Sequence, residues 1–180
     1  MNIIKKISVL VLLFGLIFSN YLIFFYAPTE KVMGAVQKIF YWHVSSAIAC
    51  YLSFAIVFIS GVYYLANKGQ KSFYLLKSAG EVGFVFCTIV LATGMIWGKA
   101  AWGTWFNWEP RLVTFLLLWL VFLSFNILKY FGDNENLGNH LSILGIVGAI
   151  TVPIMVFSIK LLPQIAQLHP EVIELSLIHI

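Results

Sequence analysis

Two kinds of side chain in this sequence are equipped to do chemistry on a ligand. Indoles crowd one short stretch, and histidines stand singly at the ends of apolar segments. The stretch runs Trp97-Gly98-Lys99-Ala100-Ala101-Trp102-Gly103-Thr104-Trp105-Phe106-Asn107-Trp108-Glu109-Pro110-Arg111. Trp102, Trp105 and Trp108 recur at a spacing of three, which gives one broad face on a helix and a shared wall in a turn. A wall of indoles is a flat apolar surface that stacks well on other flat π systems. The cations beside it suit carboxylates, Arg111 through a two-pronged grip and Lys99 as the weaker candidate. A flat, apolar ligand with acidic arms needs both features. Haem, with its porphyrin face and two propionates, answers that description. An aromatic belt is the competing reading, because Trp and Tyr collect at membrane–water interfaces without binding anything.

The elements that must position these residues follow from composition. The 180 residues are 61% hydrophobic and only 10% charged, with a mean hydropathy of +0.94. That excludes an ordinary soluble domain and predicts an all-α, polytopic transmembrane bundle forming a single domain over residues 1–174. The net charge of +4 comes from cations at segment ends, which points to membrane flanks and away from nucleic acid. Cys50 and Cys87 lie singly in apolar segments. Neither a C-x-x-C nor a C-x-x-C-H is present, so no covalent c-type haem site is expected, and both cysteines read as small packing residues.

Five spans are expected, over residues 7–26, 44–66, 78–97, 112–130 and 140–162, each near the roughly 20 residues that a bilayer demands. The first reads as a retained span, since no small-x-small cleavage site follows it. Residues 36–43 read as an amphipathic interfacial segment. Pro110 suits the first position of span four, with Glu109 against the positive helix start. Gly94 and Gly98 form a G-x-x-x-G pair able to admit close helix contact, and Pro153 is expected to kink span five. Glu81, near the start of span three, is either a buried partner or proton site or a snorkelling interfacial residue.

Alternating direction places the ends of spans one, three and five on one side of the membrane. His43 follows span one, the Trp-rich loop span three and His169 span five, so all three share a face, with His140 on the other. Neutral imidazole is the usual protein ligand of haem iron. His43 and His169 are therefore the candidate axial ligands, together or in turn. The loop containing Lys68, Lys71 and Lys77 has no acid opposing it, which predicts a cytoplasmic N-terminus and an extracytoplasmic Trp-rich loop.

The segment Trp102-Gly103-Thr104-Trp105-Phe106-Asn107-Trp108-Glu109-Pro110-Arg111-Leu112 resembles the tryptophan-rich signature of the haem-handling membrane proteins of cytochrome c maturation, of the CcmC type, roughly W-G-T-W-W-x-W-D-x-R-L. Phe106 stands for a Trp and Glu109 for the Asp, which keeps an aromatic face and a carboxylate. Tyr41-Trp42-His43-Val44-Ser45-Ser46-Ala47 is similar to the family's first-histidine segment, and the stretch from Val152-Pro153-Ile154 to Leu168-His169 to its second, with a slightly longer spacing. Ile96-Trp97-Gly98-Lys99 and Glu81-Val82-Gly83 also resemble the family, so the likeness covers nearly the whole chain.

The resemblance implies a six-span bundle holding haem b at the outer membrane face of the bacterial inner membrane. The ligand would lie between His43, His169 and a surface built from Trp102, Gly103, Trp105, Phe106, Trp108, Glu109 and Arg111. It implies transport and presentation rather than catalysis, with hand-off to a membrane-anchored haem chaperone of the CcmE type and help from ABC transporter subunits and a small membrane subunit. Trp108-Glu109-Pro110 leans towards the sibling CcsA-like cytochrome c synthetases, one alternative; a structural subunit without haem is another. Residues 175–180 can be back-translated to a sequence that resembles a transposon end used in library preparation, so they are expected to be a non-native tail on a chain that naturally continues.

Overall fold

The structure, a computed structural model, describes residues 3–31, 33–132 and 136–161, with side chains up to residue 157. Helix α1 spans Ile3–Tyr21 and runs into a π turn at Leu22–Tyr26. After a 3₁₀ turn at Ala35–Gln37 come α2 (Lys38–Asn67), α3 (Gln70–Trp102), α4 (Pro110–Phe131) and α5 (Leu137–Leu161). No strand forms among the described residues. All five helices are long and apolar enough to cross a membrane, so the protein is an integral membrane protein with the expected all-α architecture. Lipid offers no partners to backbone amides, and helices satisfy them internally. Buried hydroxyls follow the same rule. Ser53, Ser60 and Ser142 each donate to a carbonyl one turn back in their own helix, as does the Asn126 amide.

The helices outrun the expected spans. The 30 residues of α2 measure about 45 Å, against roughly 30 Å of hydrocarbon. Extra turns therefore project into the interfaces, where Lys38, Lys71, Lys77 and Lys99 remain helical without entering the apolar core. Residues 38–43, expected in an interfacial segment, are instead the first turns of α2, so His43 projects from a rigid helix. Lys68, at φ 52°, ends α2 in the left-handed region, and its N–H reaches the Tyr64 carbonyl at 2.7 Å. Pro153 lies within α5, which continues as helix through it.

Helices α2 to α5 form the bundle. Its core is Cys50, Phe54, Val57, Leu76, Cys87, Leu118, Phe122, Phe125, Leu141 and Met155, all nearly inaccessible. Glycines let the helices close on it. A Cβ at Gly83 would lie 2.5 Å from the Phe54 ring, one at Gly80 2.3 Å from Phe125, and one at Gly145 2.7 Å from Val57. Among the described residues α1 packs against none of these four helices and buries no side chain.

At one end of the bundle Glu81 pairs with Lys129 and accepts a hydrogen bond from the Tyr130 hydroxyl at 3.0 Å. Glu81 is therefore partnered, tying α3 to the end of α4, but it is half-exposed near the helix end and not the buried partner that one of the two sequence readings expected. Trp119 adds a second tie, its Nε1–H donating to Thr88 Oγ1 at 2.9 Å. The Glu81 side chain is 41% exposed, so the pair contributes about 1 kcal/mol at most. Lys129→Met is accordingly expected to lower the melting temperature in detergent slightly and to leave ligand binding at the far end unchanged.

Candidate functional site

The opposite end of the bundle carries a cavity built from the start of α2, the end of α3, the 103–109 loop and the start of α4. The space in it not filled by protein atoms, open solvent at the mouth included, comes to about 1170 Å³. From α2 come Phe40, His43, Val44, Ala47, Ile48 and Tyr51, and from α3 Val90, Leu91, Gly94, Met95, Trp97, Gly98 and Trp102. Thr104, Trp105, Phe106 and Asn107 line it from the loop, Arg111, Leu112 and Phe115 from α4, and Met155 from α5.

His43 is held by α3. Its Nδ1 lies 3.1 Å from Thr93 Oγ1. The Thr93 hydroxyl has one proton, committed to the Ile89 carbonyl at 2.6 Å. Thr93 Oγ1 therefore accepts from His43 Nδ1–H, which in a neutral imidazole leaves the lone pair on Nε2. This is how proteins commonly orient a metal-binding histidine. The ring lies over Gly94, where an added Cβ would come 3.1 Å from His43 Cε1. The Gly94/Gly98 pair thus admits a side chain of α2 at Gly94 and the loop at Gly98, where Trp102 and the Thr104 carbonyl approach.

The loop's shape follows from its ends. Gly103, at φ 77°, closes α3 in the left-handed region that favours glycine, and Lys99 Nζ donates to the Gly103 carbonyl at 2.7 Å. Pro110 then opens α4 at the first helical position, as expected. Glu109 occupies the N-cap position but makes no capping hydrogen bond, and its side chain is buried.

Because α3 stops at Trp102, the three evenly spaced indoles do not share a helical face. Trp102 and Trp105 line the cavity; Trp108 does not, being 81% exposed and meeting Phe106 edge-on at 5.3 Å. Trp97 takes its place in the wall, 5.0 Å from Trp102 and nearly perpendicular to it. Gly103 and Glu109 shape the loop without lining the cavity, and Lys99, the weaker cation candidate, caps α3 instead. Arg111 does line it, within electrostatic reach of His43 and Tyr51. His169 lies outside the described residues. His140 is exposed at the opposite end, next to the Asn139 that pairs with Lys68.

The arrangement can take a large, flat, mostly apolar ligand with anionic groups. Indole and phenyl faces meet its body, and Arg111 and the Asn107 amide meet its acids. Asn107 Oδ1 accepts from Thr104 Oγ1 at 2.9 Å, while Nδ2 is buried with no hydrogen-bond partner among the described residues. A buried donor in that state costs about 1–3 kcal/mol until an acceptor reaches it.

Trp97, Tyr51, Phe115 and Met155 were not among the sequence candidates. Periodicity held a signal for some: residues 40, 43, 44, 47, 48 and 51 make one helical stripe through His43, as do 90, 94, 97 and 98 on α3.

Fold and site together define a polytopic helical membrane protein with an amphipathic, aromatic-walled cavity at one end of its bundle. The chain belongs to the CcmC family, described as heme exporter protein C, whose profile matches residues 1–175. It is 33% identical to heme exporter protein C of Rhodobacter capsulatus over 144 residues, covering 79% of this chain and 58% of the relative. It is 33% identical to the Paracoccus denitrificans protein of that name over 127 residues, 70% and 53% of the two chains. To that of Escherichia coli K12 it is 31% identical over 157 residues, 85% and 61%. The chain thus spans rather more than half the length of these relatives.

Proposed function

We propose that this chain is a haem transport and presentation component of c-type cytochrome biogenesis, and not an enzyme. It binds haem b in the cavity at the extracytoplasmic face of the bacterial inner membrane, its N-terminus cytoplasmic, and hands the haem to a CcmE-type chaperone. ABC transporter subunits and a small membrane subunit are its further partners. The observation that supports this most is an oriented imidazole and a guanidinium on one aromatic-walled cavity. His43 ligates the iron through Nε2, and His169 supplies the second imidazole. Trp102, Trp105 and Phe106 pack the porphyrin, and Arg111 and Asn107 receive the propionates. Gly94 and Gly98 keep the α3 wall flat. Trp108, exposed beside the mouth, offers an apolar surface to the ring's outer edge or to the chaperone, and Glu109 and Gly103 hold the loop that presents it.

The visible spectrum of the detergent-purified protein tests this. A haem Soret band that survives washing is expected; a monodisperse protein with no such band after haem feeding overturns the reading. Gly94→Ala refines the test. Its methyl group forces the His43 ring to shift by a few tenths of an ångström, so haem affinity should fall about fivefold, roughly 1 kcal/mol, at an unchanged melting temperature.

A further inference from the structure

The chain's two cysteines, read from sequence as unrelated packing residues, meet in the structure. Cys50 on α2 and Cys87 on α3 are both fully buried, and their side chains lie close enough to perturb one another electrostatically. The pairing is not an isolated contact. Along the antiparallel α2/α3 seam His43 faces Gly94, Phe54 faces Gly83 and the Tyr64 ring meets that of Phe73. For each residue gained along α2 one is lost along α3, and Cys50 opposite Cys87 falls on that same register. Small residues stand one turn from the cysteines on each helix, Ser46, Ala47 and Ser53 on α2 and Gly83 on α3. A seam of small residues brings helix backbones close, as the short Cα separation of a disulfide requires.

We propose that Cys50 and Cys87 form a redox-convertible dithiol inside the membrane, oxidised to an α2–α3 disulfide by an apolar two-electron oxidant of the quinone class. The two S–H bonds break and one S–S bond forms. Both electrons and both protons pass to the quinone, which leaves as quinol. The cavity brings the oxidant near: Ala47, Tyr51, Val90 and Leu91 line it and each lies within about one helical turn of a cysteine, with the two thiols buried behind them. The disulfide staples α2 to α3 two turns below His43, fixing the helix that carries the imidazole against the helix that orients it. The proposal uses the cavity only as the oxidant's approach and does not rest on haem being what it binds.

The test uses the full chain, purified in detergent under reductant and then desalted without air. It is incubated with tetramethylbenzoquinone, which has no open ring position for thiol addition. Alkylation under denaturing conditions followed by intact mass counts the remaining thiols. The expected result is the joint loss of both labels, about one quinol formed per chain, a monomer on non-reducing gels and recovery of both labels with dithiothreitol. Two labels retained after exposure to the quinone overturn the proposal, as do disulfide-linked dimers. Cys50→Ser should keep its single label throughout; loss of that label shows that Cys87 reacts alone and also overturns the pairing. Should this variant fail to fold, the wild-type mass and gel decide the matter.

Discussion

His43→Ala is expected to lower the haem retained by the washed protein at least tenfold, more than 1.4 kcal/mol of binding, while His140→Ala leaves it unchanged. The contrast rests on placement. His43 stands on the cavity wall with Nδ1 committed to α3, and His140 is exposed at the other end of the bundle. His43→Gly leaves room for free imidazole, which should restore the Soret band in proportion to its concentration, as loss of a ligand predicts and loss of packing does not. Thr93→Val removes the acceptor that fixes the ring tautomer, and outer partners of metal-bound histidines are typically worth 10–100-fold. A drop of about tenfold is expected there, without rescue by imidazole. Equal loss in the His43 and His140 variants would contradict the assignment of the cavity as the haem site.

The reach of the sequence can be judged from the same residues. Parity alone brought His43 and the Trp-rich loop to one end of the bundle, because strict alternation is forced on any chain of membrane-spanning helices. Helix ends were harder to see. Hydropathy marks where hydrocarbon stops, while α2 and α3 continue through Lys38 and Lys99, whose long side chains suit a helix in the interface. The even spacing of Trp102, Trp105 and Trp108 misled for a local reason: Gly103 breaks α3 between the first and second of them. What fills the gap, Trp97, sits five residues before Trp102, where the sequence reads as the end of a membrane span. The separateness of α1 was invisible as well, since a lipid-facing span and a packed one are both apolar around their circumference. Pairings between helices, such as Cys50 with Cys87 or Glu81 with Lys129, depend on register, and no local pattern in one sequence encodes it.

Gly83→Ala is expected to destabilise the bundle strongly for a single added methyl. The added Cβ falls 2.5 and 2.8 Å from two atoms of the Phe54 ring and 3.2 Å from Ser53 Cβ. Phe54 has nowhere to go, being 1% exposed and stacked on Phe122 at 3.8 Å, which in turn packs against Phe125 at 5.8 Å. Phe125 closes the column against Gly80, where a Cβ would sit 2.3 Å from its ring. Overpacking of this kind costs roughly 1–3 kcal/mol, and the melting temperature in detergent should fall accordingly. The two glycines clasp one aromatic column, so Gly80→Ala combined with Gly83→Ala should cost other than the sum of the two. Gly15→Ala is the control: nothing lies within 4 Å of its Cβ, so the helix should lose nothing and gain about 0.5–1 kcal/mol from the better helix former. Phe54→Leu in the Gly83→Ala background decides the cause. A smaller side chain opposite the new methyl should recover part of the loss if the clash is responsible, and deepen it if Gly83 matters for some other reason.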